Sequence, residues 1–213
     1  MISLRQLLAT AVAAFGLATG ALAQMPQPFS LLNPPQPVEG GGKIEVIEFF
    51  WYGCPHCARL EPFVQKWAAN LPKDVVFKRM HALPGNQWVE HATLFYSLES
   101  MGLLDKLHMK AFDAIHSENL NLNTKATREQ WLAKQGVDVA KYNEVEKSFS
   151  VQTKINNARQ KTGSFKVDGV PMMYVNGKYF TSNTHAKGDT ARIMVIVDQL
   201  VEKSRKEMGG AAK

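Results

Sequence analysis

The sequence predicts an α/β fold: a small sheet whose strands are separated by an inserted all-helical domain. Three observations carry this. Ile44 to Trp51 is an apolar run, and Leu60, Phe63, Val64, Trp67, Ala68 and Leu71 then recur at helical spacing. From Gln87 to about Thr162 only helical periodicity is found. Met172 to Val175, Asn176-Gly177 and Lys178 to Phe180 read as a β-hairpin with a type I′ turn, followed by one more helix. The order is therefore β, α, β, helical block, hairpin, α.

The chain has 213 residues, enough for one domain carrying an insertion. Its first stretch stands apart. Arg5 precedes an apolar or small run from Leu7 to Leu22, and Ala21-Leu22-Ala23 is an A-x-A cleavage pattern. This predicts a secretory signal peptide over 1–23, with Gln24 starting the mature chain. The alternative, a retained anchor, needs a longer span without Gly16, Thr19 and Gly20. No stable membrane insertion is expected after cleavage. Without Arg5, 24 basic residues face 19 acidic ones, a net charge of +5. The closest basic grouping, Lys203, Arg205 and Lys206, reads as one solvated helix face, which argues against nucleic acid as a partner.

From residue 24 to 42 the chain is a Pro- and Gly-rich arm, with Phe29–Leu32 as a short edge strand. Ile44–Phe50 is a strand covered on both faces, interrupted by Glu48. The helix after it contains Pro62, which predicts one bent helix ending near Leu71-Pro72. Val75–Met80 is a second strand, parallel to the first, with Lys78 inside it. In the helical block, one helix stops at Gly102. A capping box is read at Thr127-Arg128-Glu129-Gln130, and Asp138 caps a helix with Tyr142, Val145 and Phe149 inward. A further helix spans about Val151 to Lys161. Asp189 or Thr190 caps the last, whose inner face is Ile193, Ile196, Val197, Leu200 and Val201. The assigned organisation is 43–86 with 163–206 as the sheet domain, 87–162 as the insertion, and 207–213 as a flexible tail.

The two cysteines lie at the first strand-to-helix junction, in Cys54-Pro55-His56-Cys57. A C-x-x-C there is a thioredoxin-type redox signature. Thiol–disulfide exchange runs through a thiolate, so pKa governs reactivity. Cys54 sits where unpaired helix N–H groups favour negative charge. Pro55 suits the first helical turn, and His56 brings an imidazole beside the sulfur. Cys57, one turn on, closes the disulfide as the buried resolving thiol. A lowered pKa makes Cys54 a good leaving group, so His56 argues for an oxidase rather than a reductase. A structural disulfide would restrain too small a loop to stabilise much. A zinc or copper site would need ligands beyond Cys54, His56 and Cys57, so no metal is expected.

With Glu48-Phe49-Phe50 leading into Cys54-Pro55-His56-Cys57, the helical block, and Val170-Pro171 before the hairpin, the chain resembles the DsbA family, thiol:disulfide oxidoreductases of the bacterial periplasm. The resemblance runs from about Phe29 to Lys206. It implies a thioredoxin fold with an inserted all-helical domain. It implies a cis Val170-Pro171 bond beside the active site, with the Val170 backbone pairing with substrate, and Glu48 and Lys78 as buried charges beneath the disulfide. It implies a periplasmic donor of the Cys54–Cys57 disulfide to the thiols of folding exported proteins, without a cofactor. Reoxidation falls to a quinone-linked membrane partner of the DsbB type. The short arm argues for a monomer, whereas isomerases of that compartment carry a dimerisation domain. A reductase or isomerase, or a chaperone or metal-binding module using the same fold, are the alternatives. His81 is placed near the site; His91, His108, His116 and His185 show no partner spacing.

Overall fold

A computed structural model describes residues 27–211. The predicted signal peptide lies outside them. Among these residues five strands form one sheet in the order β1 (Ser30–Leu31), β5 (Tyr179–Ser182), β4 (Met172–Val175), β2 (Ile44–Phe50) and β3 (Val75–His81). The first, β1 (Ser30–Leu31), pairs antiparallel with β5 (Tyr179–Ser182) at the edge. Central β2 (Ile44–Phe50) is buried at every position, Glu45 and Glu48 included, as a strand covered on both faces. It runs parallel to β3 (Val75–His81) and antiparallel to β4 (Met172–Val175). Asn176 and Gly177 join β4 to β5 with φ of 53° and 62°, the left-handed pair of a type I′ turn. Gly177 is needed twice over: a Cβ there would lie 2.0 Å from the Gln36 carbonyl oxygen.

Alternation along β2 divides the core. Ile44 and Val46 face α1 (Pro55–Ala68) and α7 (Thr190–Ala211), meeting Leu60, Val64, Ile193, Val197 and Leu200. Ile47 and Phe49 face the other way, toward Phe165, Met172 and Tyr174. α1 passes through Pro62 unbroken but stops at Ala68, short of the expected Leu71. Pro62 and Phe63 point to solvent; Phe63, expected inward, is 43% exposed. Asp189 accepts from the Arg192 amide to start α7, and the expected inner face is buried throughout. The tail expected from 207 is instead helical to Ala211.

Between β3 and β4 stand α2 (Val89–Ser100), α3 (Leu104–His116), α4 (Lys125–Lys134), α5 (Val139–Glu146) and α6 (Phe149–Ser164), with no strand among them. They enclose a second core around Phe95, Phe112, Trp131 and Tyr142, and Phe50 and Tyr52 reach into it from the sheet. Asp138 caps α5 as expected. α4 begins earlier than read: Lys125 is its first residue and Thr124 its N-cap position, so Thr127 lies within the first turn. Phe149 is not an inward residue of α5. Ser148 caps a new helix there, its hydroxyl accepting from the Val151 amide, and Phe149 becomes the exposed first residue of α6, 87% open to solvent.

That placement separates two phenylalanines energetically. Phe149→Ser is expected to change unfolding free energy by less than about 0.5 kcal/mol. Phe112→Ala, in the insertion core, is expected to cost about 3–5 kcal/mol. Chemical denaturation of both variants checks the pair, and a large loss in the first would contradict the register of α6.

Candidate active site

Cys54 is the N-cap of α1. Its backbone is extended (φ −92°, ψ 115°) and its Sγ accepts the Cys57 amide at 3.3 Å. Pro55 follows in the first turn, where a missing N–H leaves nothing unpaired. The sulfur thus occupies the place a Ser or Asp oxygen takes in an ordinary cap. The strand-to-helix turn that sets it is tight: a Cβ on Gly53 would lie 2.3 Å from the Trp51 ring, so glycine lets the turn fold against the indole. Trp51 in turn stacks on Trp88 from the turn before α2, centroids 4.3 Å apart and planes at 23°.

The two sulfurs are inequivalent. The cysteines, both free thiols, approach to 3.1 Å. Cys54 keeps 6% of its surface exposed and Cys57 none, so only Cys54 is open to an incoming sulfur. Hydrogen bonding from the Cys57 thiol, then from the Cys57 and His56 amides, brings Cys54 down to about 7 against the opposing effect of burial, with the Arg59 charge adding to the drop. Burial first, and the neighbouring Cys54 second, push Cys57 well above the usual thiol value. About half of Cys54 is therefore thiolate at neutral pH while Cys57 holds its proton.

His56 acts differently from the expectation. Its ring turns outward, with Nδ1 accepting from Arg59 Nη2 at 2.7 Å, so its contribution to the sulfur is its backbone N–H and the nearby cation is Arg59. Nothing in the spacing of the sequence distinguishes these, because residues 56 and 59 share an exposed first turn. Val170-Pro171 is cis, and the Val170 carbonyl oxygen lies 3.3 Å from Cys54 Sγ.

Glu48 is 1% exposed on the face of β2 that turns toward α1. Lys78 is not beneath the cysteines. Register pairs Glu48 with Arg79 and Ile47 with Lys78, and successive strand residues face opposite ways. Lys78 therefore emerges on the far face, half-buried, bonded to Glu45 at 2.6 Å and Glu39 at 3.2 Å. Arg79 is the cation at this site. It donates Nη2 to Glu61 Oε1 at 2.6 Å and Nε to Glu61 Oε2 at 3.4 Å, while Nε stands 3.5 Å from Glu48 Oε2. Glu61 thus accepts both of these Arg79 hydrogen bonds, and neither Glu48 oxygen has a hydrogen-bond partner. Desolvation, followed by the Glu61 charge, pushes Glu48 up to about 8.

Four histidines surround the Phe50–Tyr52 segment that precedes the cysteines. His108 Nδ1 pairs with the Tyr52 hydroxyl at 2.8 Å, and His116 Nε2 donates to the Tyr52 carbonyl at 2.8 Å. His81 and His91 lie 5.9 Å and 6.3 Å from the Tyr52 ring. Sequence spacing places only His81 here; residues 91, 108 and 116 arrive on α2 and α3. Burial depresses His81, His91 and His108, with His91 at about 4.

These groups set opposed pH dependences. Unfolded histidines bind protons below about pH 6.5 and these three resist doing so in the fold, so their stability is full above that pH and is lost as pH falls. Glu48 has a raised folded value, so its contribution is full below its usual 4.5 and is lost as pH rises through about 8. The denaturation midpoint of the oxidised protein is expected to peak near pH 6.5 and fall on both sides. Glu48→Gln should gain about 2–4 kcal/mol at pH 9 relative to the parent. A profile flat from pH 4 to 9 would contradict the assignment.

Residues 45–190 match the family model of a DSBA-like thioredoxin domain. The chain is 43% identical over 203 residues to the thiol:disulfide interchange protein DsbA of Bordetella parapertussis, covering 95% of this chain and 97% of that one. It is 38% identical over 207 residues to the protein of the same name from Pseudomonas aeruginosa, covering 95% and 98%. The crystal structure of Pseudomonas aeruginosa DsbA superposes with a TM-score of 0.81 at 40% identity, over 88% of this chain and 95% of that one. Neisseria meningitidis NmDsbA1 superposes with a TM-score of 0.76 at 29% identity, over 86% and 94%. Sheet, helical insertion and C-x-x-C cap agree with this likeness throughout, and the chain belongs to the DsbA-like family of thioredoxin-fold thiol:disulfide oxidoreductases.

Proposed function

We propose that this oxidoreductase is a periplasmic disulfide donor to the thiols of folding exported proteins. The observation that carries the reading is the asymmetry of the pair: an accessible Cys54 held as an easily displaced thiolate, and an enclosed Cys57 that keeps its proton.

The exchange follows from that asymmetry. A substrate thiolate attacks Cys54 Sγ in the oxidised protein. The Cys54–Cys57 bond breaks, its electron pair passes to Cys57 Sγ, and Cys57 takes up a proton. Glu48 is the buried acid suited to give it, since its raised value keeps it protonated at neutral pH. A second substrate thiolate then attacks the substrate sulfur of the mixed disulfide. Cys54 leaves as a thiolate stabilised by the Cys57 thiol and the two helix amides. The substrate has lost two electrons and the protein has gained them. Pro55, His56 and Arg59 frame the exposed side. The Val170 carbonyl and Pro171 face Cys54 where an extended substrate backbone would lie.

We further assign residues 1–23 to a cleaved signal peptide, 24–42 to an N-terminal arm, 43–86 with 163–206 to the thioredoxin domain, and 87–162 to the insertion. The protein works as a monomer and is reoxidised by a quinone-linked membrane protein of the DsbB type. The oxidised protein is expected to restore activity to reduced, unfolded ribonuclease with one disulfide delivered per molecule. It is expected to rescue scrambled ribonuclease poorly. The reverse pattern would make it an isomerase.

A further inference from the structure

Reducing the disulfide consumes a proton at a sulfur with no solvent exposure. Beside α1 a cleft of about 390 Å³ is lined by Gln65, Ala68, Ala69, Arg79, Leu104, Asp105 and His108. Gln65, Ala69 and Asp105 at its mouth are exposed, Ala68 and Leu104 are half-buried, and His108 at its floor is 3% exposed. Past the floor, His108 Nε2 stands 3.3 Å from Glu61 Oε2, and Glu61 and Glu48 meet on the Arg79 guanidinium. His108 Nε2 and both Glu48 oxygens have no hydrogen-bond partner in the protein, so each is free to exchange a proton with a neighbour or a water. Tyr52 fixes the ring from its other nitrogen and sets which edge faces Glu61.

We propose that His108, at the floor of this cleft, is the outer proton relay of the active site, passing protons between solvent and the buried Glu61–Glu48 pair. This rests on the disulfide-donor reading above and adds the path by which Glu48 is recharged after each exchange. His108 touches neither substrate nor sulfur and is a positioning and relay residue. The charged and titratable groups that face it are Tyr52 before the cysteines, Glu61 on α1, Arg79 and His81 on β3, and Asp105 on its own helix. The proton balance is closed. The proton lost by Glu48 to Cys57 is replaced through Glu61 and His108 from water, and the substrate thiols release theirs to solvent at the surface.

The test is the single-turnover reduction of the oxidised protein by a peptide dithiol, followed by tryptophan fluorescence. His108→Gln keeps a polar partner for Tyr52 but cannot shuttle a proton as imidazole does, and it should slow reduction about tenfold at neutral pH. Its Cys54 thiolate titration and glutathione equilibrium should match the parent. His108→Ala enlarges the cleft floor, and added imidazole should restore most of its rate. Parental rates in both variants would overturn the relay. So would slow rates that imidazole does not restore, or a shifted Cys54 titration, since either marks a structural role. A parent protein that fails to oxidise the peptide would instead overturn the donor reading, and the relay with it.

Discussion

The structure depends on one contact: the Cys54 sulfur accepting the Cys57 amide as the N-cap of α1. A cap normally satisfies a helix terminus with oxygen. Here the acceptor is the atom that must carry negative charge during exchange, so helix formation and thiolate stabilisation are the same interaction. The rest of the fold serves its placement. Buried β2 fixes where the helix begins, Gly53 and Trp51 make the turn, Pro55 starts the helix without an orphaned donor, and the Val170 carbonyl closes over the sulfur. Cys57 follows one turn later and is sealed from solvent by the same geometry.

The charge distribution behind that cap is unbalanced in a useful way. Two carboxylates converge on one guanidinium, and both of its hydrogen bonds to them go to Glu61. Glu48 is left buried without a hydrogen bond, beside the Glu61 charge, and its pKa is pushed up to about 8. A neutral buried acid is tolerable for folding and is also a proton source for a buried sulfur. His81 and His108 beside Tyr52 follow similar logic, their pKa values pushed down by burial. Stability and chemistry therefore share one set of groups, and their pH dependences cannot be tuned separately.

Much of this was legible in the sequence because it is local. The cysteines, the proline in the first turn, the Asn176-Gly177 hairpin, the Asp138 cap and the inner face of α7 each follow from a few adjacent residues. What the sequence did not disclose is set by register and packing. Lys78 and Arg79 are neighbours, and only the pairing of β2 with β3 decides which lies under the cysteines. His108 is 51 residues from Cys57 in a helix whose docking no local pattern reveals. Glu61 could have been suspected, since it sits on the helix seven residues after Cys54, within the stripe that begins at Leu60. Phe149 reads as part of α5 in the sequence because an apolar residue at helical spacing looks the same whether it ends one helix or starts the next.

This arrangement favours the dithiol, which makes the pair a donor of disulfides. The most direct measurement is the equilibrium of the Cys54–Cys57 couple against glutathione at pH 7. The couple is expected to be clearly more oxidising than thioredoxin, whose potential is about −270 mV. A value at or below that of thioredoxin would contradict it.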